Sequence, residues 1–414
     1  MEEKARFAVG LDIGTNTTRA VVGSIDRDGK ISVIGYGESP TEGMRRGIVK
    51  ELMSPPKAVD ASLAAAEGMS GYHIEAATVN INGSHIASVK VDGMVAVGVG
   101  DHEIDNQDID RIIDTAIAGK VPANREILAL VPYEYILDGQ GGIREPLGMH
   151  GSRLEIRANV ISAMTPDCDN IQKVCEAAKM QVRILEPCAM AAARAVITNR
   201  QKENGVGVVD MGGATTSLAI YDEGELQFTG VVPFGGNDIT NDLATVLKTV
   251  PDVAEEIKMR FASGKFGETD KDIVIKRGRD EYTFKRKDVD EVVEARLEEI
   301  FEGVRKLLKV AGYDKRLPEG LVLVGGGSKM RDIDVYAREQ VELAVRLAKP
   351  EDILGLGEDI KKPEWSTAVG LMMADAEHQM ASAQGGRSLN TDSKKARKAP
   401  KGEGFLAKLF KKLK

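Results

Sequence analysis

The pattern Asp-x-Gly-x-x-Thr-Thr occurs twice in this chain, each time at the end of an apolar run, and no other feature restricts the fold as much. The first copy is Asp12-Ile13-Gly14-Thr15-Asn16-Thr17-Thr18. The second is Asp210-Met211-Gly212-Gly213-Ala214-Thr215-Thr216, after Val206, Val208 and Val209. Strand-like residues resume beyond each turn, so each copy predicts strand, glycine turn and strand. Glycine lets the backbone come close to whatever lies over the turn, because a Cβ would block the approach. Successive N–H groups at such a turn favour a phosphate, and the Asp can hold a cation beside it. Either copy alone reads equally well as an ordinary hairpin. Repetition at a constant offset of 198 positions predicts instead two similar domains, with two phosphate-gripping hairpins facing one cleft.

A chain of 414 residues has room for two or more domains, each with its own core. With 42% hydrophobic and 29% charged residues it reads as globular, and no apolar run approaches the ~20 residues of a membrane-spanning helix. Met1-Glu2-Glu3-Lys4-Ala5-Arg6 leads straight into a strand, so no signal peptide is expected. Cys168, Cys175 and Cys188 lack metal-ligand spacing and predict free thiols in a reducing cytosol. Five scattered histidines form no candidate metal cluster. The net charge of −8 conceals an asymmetry: from Arg387 onward ten Lys and Arg meet only Asp392 and Glu403. A basic tail on an acidic body points the tail at an anionic partner and argues against nucleic acid as a partner of the body.

Along the chain, Phe7–Leu11, Thr18–Ser24, Ile31–Gly37 and Thr78–Ile81 read as strands, and Pro55–Met69 as a helix with Pro at its start. The composition changes at about Gly83. Val89 to Val99 alternate around Asp92-Gly93, a hairpin signal. A helix over Asp105–Ala118 and strands at Ile127–Val131 and Glu155–Ser162 complete a small α+β insertion without phosphate loop or catalytic cluster, read as an interaction module. Pro166–Ala178 is a helix and Gln181–Leu185 a strand. Glu186-Pro187 then opens a small-residue helix, with an acid at its mouth that could orient a water.

Residues 236–300 form another module. Asn237–Leu247 and Pro251–Phe261 are helical, the latter carrying Glu255 and Lys258 one turn apart. Arg277-Gly278-Arg279 turns a hairpin, and Asp288 is expected to cap a long helix with the apolar stripe Val293, Leu297, Ile300, Phe301, Val304 and Leu308. Lys276, Arg277, Arg279, Lys285, Arg286 and Lys287 form a basic cluster, either a solvated face or a surface for an acidic peptide. Leu321–Val324 is a buried strand ending in Gly325-Gly326-Gly327-Ser328, a turn on which a flat base or sugar could lie, and Trp365–Ala374 begins the last globular helix. Residues 381–402 read as a flexible linker.

In the terminal segment, residues 403–414, Phe405, Leu406, Leu409, Phe410 and Leu413 share one arc of a helical projection, and Lys408, Lys411, Lys412 and Lys414 take the other. So short a helix is marginal in water. On a tether it fits an anionic membrane surface, to which each lysine adds about 1 kcal/mol; its rival is a protein groove. Weak single anchors imply oligomerisation.

The two Asp-x-Gly hairpins, the Glu-Pro-x-Ala helix between them, the late triple glycine and the final small-residue helix occur in the order of the actin, sugar kinase and heat-shock chaperone superfamily. Within it the whole chain resembles the FtsA family of bacterial actin-like cell-division proteins. The resemblance rests on Gly10–Thr15, Gly43-Met44-Arg45-Arg46-Gly47, Val131-Pro132-Tyr133-Glu134-Tyr135, Ala254-Glu255-Glu256-Ile257-Lys258, Trp365–Leu371, and the linker with its cationic terminus. It implies an α/β, two-lobed actin-like (ribonuclease H-like) fold with an inserted α+β module and a C-terminal amphipathic helix. The first lobe core would comprise 1–82, 161–203 and 366–380, the inserted module 83–160, the second lobe core 204–235 and 301–365, and its outer subdomain 236–300.

The same resemblance implies ATP with Mg²⁺ between the lobes. Gly14, Thr15 and Asn16 would grip phosphates from one side and Gly212, Gly213, Ala214 and Thr215 from the other. Asp12 and Asp210 would hold the metal through water, Glu255 and Lys258 would touch the nucleoside, Gly325, Gly326, Gly327 and Ser328 would back the adenine, and Glu186 would lie near the attacking water. It further implies filaments of this chain that tether FtsZ to the cytoplasmic face of the membrane at the division site. The FtsZ C-terminal peptide would bind on 236–300, other divisome proteins on 83–160, and anionic lipid on 403–414. Ala214 and Ser217 depart from the superfamily's commoner glycine and acid and put fast hydrolysis in doubt, so at most a weak ATPase is expected. Alternatives are a small-molecule kinase, for which no extra general base is found, and a PilM-like pilus scaffold, which lacks such a tail.

Overall fold

The computed structural model describes residues 6–98, 103–267, 271–355 and 357–383. The linker from residue 384 and the whole amphipathic segment 403–414 lie outside the described residues.

The chain opens on three antiparallel strands, β1 (Arg6–Ile13), β2 (Thr17–Ile25) and β3 (Ile31–Pro40). Val9, Leu11, Ala20 and Val22 are fully buried on one face and Ala8 and Val21 on the other, so this sheet is covered on both sides. A miniature hairpin of β4 (Met44–Arg45) and β5 (Ile48–Val49) precedes α1 (Pro55–Ser70). Pro55 and Pro56 open that helix, where the missing N–H groups cost nothing, and Gly71 ends it at φ 66°. Strand β6 (Ala76–Ile81) then runs parallel to β1.

The insertion consists of β7 (Ala87–Ala96), α2 (Asn106–Ile117), β8 (Arg125–Leu137), β9 (Gln140–Ile143) and β10 (Arg153–Met164), in the sheet order β7-β10-β8-β9. The hairpin expected at Asp92-Gly93 is absent. Strand β7 runs straight through, with Asp92 opposite Arg157 and Gly93 opposite Ile156. Gly93 is there for packing: a Cβ on it would sit 2.9 Å from Ala116 of α2. Strand β8 is longer than predicted: the ladder continues past Pro132, which lies opposite Ala158, to Glu134 opposite Arg157, with Tyr133 the extra residue of a bulge between them.

The chain returns through α3 (Thr165–Ala177), β11 (Gln181–Pro187), α4 (Cys188–Val196) and α5 (Asn199–Asn204) to a second sheet of β12 (Val206–Met211), β13 (Thr216–Asp222) and β14 (Glu225–Val232). An outer layer follows: α6 (Gly236–Val246), α7 (Pro251–Phe261), β15 (Ile273–Arg277), β16 (Asp280–Phe284) and α8 (Arg286–Ala311). The stripe on α8 is core, with Leu297, Ile300, Phe301, Val304 and Leu308 fully buried. Asp288 does not cap α8. Lys285 holds that position, and Asp288 lies in the first turn, where it still meets the positive end of the helix. The basic cluster is not a uniform face either: Lys276 pairs with Glu281 at 3.1 Å, Arg277 with Glu256 at 3.2 Å, and Arg286 is buried against Asp290 at 2.8 Å.

Strand β17 (Leu321–Val324), α9 (Ile333–Val341), β18 (Val345–Leu347) and α10 (Ser366–Ala383) complete the chain. The last helix runs to Ala383, so residues 381–383, assigned to the linker by the sequence, are helical. The two large sheets have the orders β3-β2-β1-β6-β11 and β14-β13-β12-β17-β18. Each is three consecutive antiparallel strands extended by two parallel ones, the same lobe built twice. Helices α4 and α10 cross where the lobes meet. A Cβ on Gly370 would lie 1.8 Å from Ala191 O, so that crossing is closed to any larger residue. Asp375 of α10 is fully buried and accepts from Val9 N (2.9 Å), Thr78 Oγ1 (2.9 Å) and Arg183 Nη1 (2.6 Å), fixing the helix to the first sheet.

Candidate functional site

The repeated hairpins have the same register. Asp12 stands opposite Arg19 and Ile13 opposite Thr18; Asp210 stands opposite Ser217 and Met211 opposite Thr216. Each turn closes on itself, Gly14 N donating to Thr17 O (3.2 Å) and Gly212 N to Thr215 O (2.8 Å). Both turns line one cavity of about 360 Å³, to which Asp12, Gly14, Thr15 and Asn16 contribute from one side and Asp210, Gly212, Gly213 and Thr215 from the other. The turns also meet. Asn16 and Asn237 exchange two side-chain hydrogen bonds of 2.7 Å, and a Cβ on Gly213 would be 2.7 Å from Asn16 Nδ2.

Glu255, Lys258, Gly325, Gly326 and Gly327 line the same cavity. Lys258 Nζ reaches Glu255 at 2.6 Å and donates to Gly236 O (3.1 Å) and Thr240 Oγ1 (2.9 Å), so the two residues act as one pair. Gly325 sits at φ 83°, and a Cβ there would meet Asp210 Oδ1 at 2.3 Å; one on Gly326 would meet nothing within 4 Å. Three predicted residues do not line the cavity. Ser328 is buried and donates to Gly325 O (2.8 Å), which pins the turn. Ala214 is buried. Glu186 is 1% exposed, and its Oε1 accepts from Arg194 (3.0 Å). Arg194 takes one oxygen of this carboxylate, while the buried Oε2 has no hydrogen-bond partner among the described residues.

The electrostatics favour a cation. Burial pushes the Asp12 carboxyl up to about 7, with nearby Arg19 opposing and Asp210 adding repulsion. Burial also raises Asp210, against the Thr367 hydroxyl, which donates to its Oδ2 at 3.0 Å, and against Arg19. Two desolvated carboxylates are a poor arrangement for the empty protein and a good one for a hard divalent ion. The residues present therefore fit Mg²⁺ at Asp12 and Asp210 and a polyphosphate over the turns.

Residues that the sequence reading did not find also line the cavity: Arg19, Asn80, Asn82, Lys329, Glu364 and Thr367. The register of the repeat points to Arg19, which is the partner of Asp12 as Ser217 is of Asp210. Asn82 had no signal, since it closes β6 far from either turn in sequence. Met330 adds apolar surface to the cavity, backed by the buried side chains of Ile239, Leu297 and Ile300.

Comparison with known proteins agrees with this architecture. Residues 207–370 match the family described as cell division protein FtsA, and residues 83–162 match the SHS2 domain inserted in FTSA. The cell division protein FtsA of Pseudomonas aeruginosa is 37% identical over 402 residues, 95% of this chain and 96% of that protein. FtsA of Escherichia coli is 32% identical over 378 residues, with 89% and 90% covered. Among solved structures, a PilM–PilN type IV pilus biogenesis complex superposes with a TM-score of 0.64 at 16% identity, covering 89% of this chain and 98% of that one. MreB5 of Spiroplasma citri bound to ADP gives 0.54 at 14% identity, covering 92% and 99%. At such identities these two show a shared actin-like fold and nothing finer. With two sequence relatives above 30% identity over nearly their whole length, this chain belongs to the FtsA family of cell division proteins.

Proposed function

We propose that this protein binds ATP with Mg²⁺ in the interlobe cleft, assembles into filaments, and holds FtsZ at the inner face of the cytoplasmic membrane at the division site. The observation that carries the reading is the meeting of the two repeated hairpins at one cavity, with Asp12 buried and Asp210 half-buried there. Thr15, Asn16, Gly213 and Thr215 would hold the phosphates. Glu255 and Lys258 would take the ribose, and Gly325 to Gly327 would back the base. Bound Mg²⁺ would neutralise phosphate charge, and Asp12 and Asp210 would position it through their carboxylates. With a methyl at Ala214 in the second turn and Ser217 opposite Asp210 in place of an acid, the nucleotide would set a shape and a polymer, with turnover secondary.

The outer subdomain, 236–300, would take the C-terminal peptide of FtsZ, with Val246, Val250 and Val274 exposed on it. The inserted module would take other divisome proteins. No helix among the described residues is long and apolar enough to cross a membrane, and the cationic segment 403–414 would supply peripheral attachment. The test is sedimentation and electron microscopy on anionic lipid with and without Mg·ATP. Filaments on the lipid with ATP, lost in the double variant Leu409→Glu, Phe410→Glu, are expected. Unchanged lipid binding by that variant would overturn the anchor, and an absence of ATP binding would overturn the cleft reading.

A further inference from the structure

Asn82 closes β6 where the chain leaves the first lobe for the inserted module, and its side chain reaches across the cleft. Asn82 Nδ2 donates to Thr215 Oγ1 at 3.0 Å, and its Oδ1 accepts from Ser217 Oγ at 3.1 Å. The same Oδ1 accepts from Gly83 N at 2.8 Å. One carboxamide therefore touches both the second-lobe phosphate hairpin and the first peptide of the module.

The joint continues to His85. Gly83 has φ 126°, and a Cβ there would lie 2.8 Å from the His85 ring, so only glycine suits the bend. His85 Nε2 is 3.0 Å from Asn82 O, and its Nδ1 is 3.3 Å from Met164 N. A carbonyl can only accept and a peptide N–H can only donate, so both contacts are satisfied by the neutral ring with its proton on Nε2. Met164 ends β10, where the chain re-enters the first lobe. Both strands that attach the module thus meet on one imidazole, and that imidazole rests on Asn82. Arg125 braces the same corner, donating to Ser162 Oγ (2.9 Å) and Ser162 O (2.8 Å).

We infer that Asn82 is a positioning residue that senses the nucleotide's phosphates through Thr215 and sets the orientation of the inserted module through Gly83 and His85. The inference rests on the reading of the cleft as a nucleotide site. Thr215 accepts from Asn82 and keeps its own hydroxyl proton to donate to a phosphate oxygen. Movement of Thr215 onto a phosphate draws the carboxamide with it, and the carboxamide is bonded to Gly83 N. At its other end the module is held by Arg144, which forms two hydrogen bonds to Glu203 (2.8 and 2.9 Å) and one to Glu223 O (3.0 Å). These side chains are half exposed, and an ion pair in that setting can open and re-form as the module turns.

The test uses the full chain with Lys120→Cys in the module and Val310→Cys at the end of α8, both at exposed positions. Spin labels go to these two because Cys168, Cys175 and Cys188 are buried. Labelled protein is diluted with excess unlabelled protein, so that distances within one chain are read by electron double resonance. Spectra are recorded in EDTA and in Mg²⁺ with saturating adenylyl imidodiphosphate, and binding of the analogue is measured separately by calorimetry. The wild-type distance is expected to shift by about 2 Å or more, the scale of helix and interface shifts in switching proteins. Asn82→Asp keeps both acceptor contacts and loses the donor to Thr215; at saturation it is expected to show no shift. His85→Gln leaves every cavity-lining residue in place and is expected to bind the analogue as the wild type does, also without shift. If Asn82→Asp fails to fold, His85→Gln decides. A wild-type shift that survives in the folded variants, or binding by the wild type with no shift at all, overturns the inference. A wild type that does not bind the analogue overturns the cleft reading itself, and the inference with it.

Discussion

Gly370→Ala sets two known effects against each other. Replacing a glycine inside a helix by alanine is worth about 1 kcal/mol in favour of the variant. Here the new methyl carbon would start 1.8 Å from Ala191 O, where ordinary contact begins at 3.4 Å. Helices α4 and α10 would have to separate by roughly the difference, and α10 is not free to move. Asp375 ties it to β1, β6 and β11, and on that same side a Cβ on Gly10 would be 2.3 Å from Ala368 O. Overpacking of this kind costs about 1–3 kcal/mol, and an overlap this deep belongs at the upper end; about 3 kcal/mol less the ~1 kcal/mol gained leaves a net loss of about 2 kcal/mol. At about 2–4 °C per kcal/mol for a domain of this size, the melting temperature should fall by about 4–8 °C. Thr367, one turn before Gly370, donates to Asp210, so the stabilisation by Mg·ATP should shrink as well. The assay is thermal unfolding with and without Mg·ATP, with Gly68→Ala in α1 as control. A Cβ at Gly68 meets nothing within 4 Å, and that variant should melt at or above wild type. If Gly370→Ala also melts at or above wild type, the tight crossing does not exist in solution and the argument fails.

Three further outcomes follow from burial and charge. Phe301→Ala empties a fully buried site on α8 and should cost about 3–5 kcal/mol, read from denaturant midpoints; a loss below 1 kcal/mol would mean that α8 is not core. Cys168, Cys175 and Cys188 are buried and burial pushes all three thiols up, so native protein should be inert to a thiol reagent at pH 8 and release three thiols only on unfolding. Burial lowers His85 below its ordinary 6.5, against the pull of Asp167. The unfolded chain therefore takes up that proton first as pH falls below about 6.5, and stability drops on the acid side. His85→Gln should melt with a smaller difference between pH 7.5 and 5.5 than wild type; an equal difference would place the titration elsewhere.

The duplicated lobe was legible because a turn that must admit a ligand leaves little choice of residue. Asp, Gly and Thr recur at fixed offsets in both copies, and the strands beside them carry alternating apolar residues. Glu255, Lys258 and the triple glycine were legible for the same local reason. Arg19 could have been found by extending the repeat to the strand opposite Asp12. Asn82 and Thr367 could not, since each enters the cleft from an element distant in sequence and neither residue type is unusual in its own segment. Gly93 misled because a turn glycine and a packing glycine look alike in sequence; only the nearness of Ala116 separates them. Asp288 misled by its position. It favours the start of α8 by charge, and it stands inside the first turn. Glu186 stands at the mouth of α4 as expected; Arg194, two turns on, takes one of its oxygens and leaves the buried Oε2 without a hydrogen bond.

Helix α10 is also a mechanical part. Its 18 residues make a rod of about 27 Å. One end places Thr367 on Asp210, the middle is pinned by Asp375, and the other end is where the chain departs toward its cationic terminus. Tension on the chain beyond Ala383 would be delivered along this rod and borne first by Gln379, which donates to Phe7 O (2.8 Å), and by the Glu377–Arg194 ion pair (2.9 Å), and then by the Asp375 hydrogen bonds. A pull strong enough to break them would reach Thr367 next. With a nucleotide in the cleft and the terminus held, as proposed, load and occupancy would oppose or assist each other through one helix, and force would act on this protein alongside nucleotide.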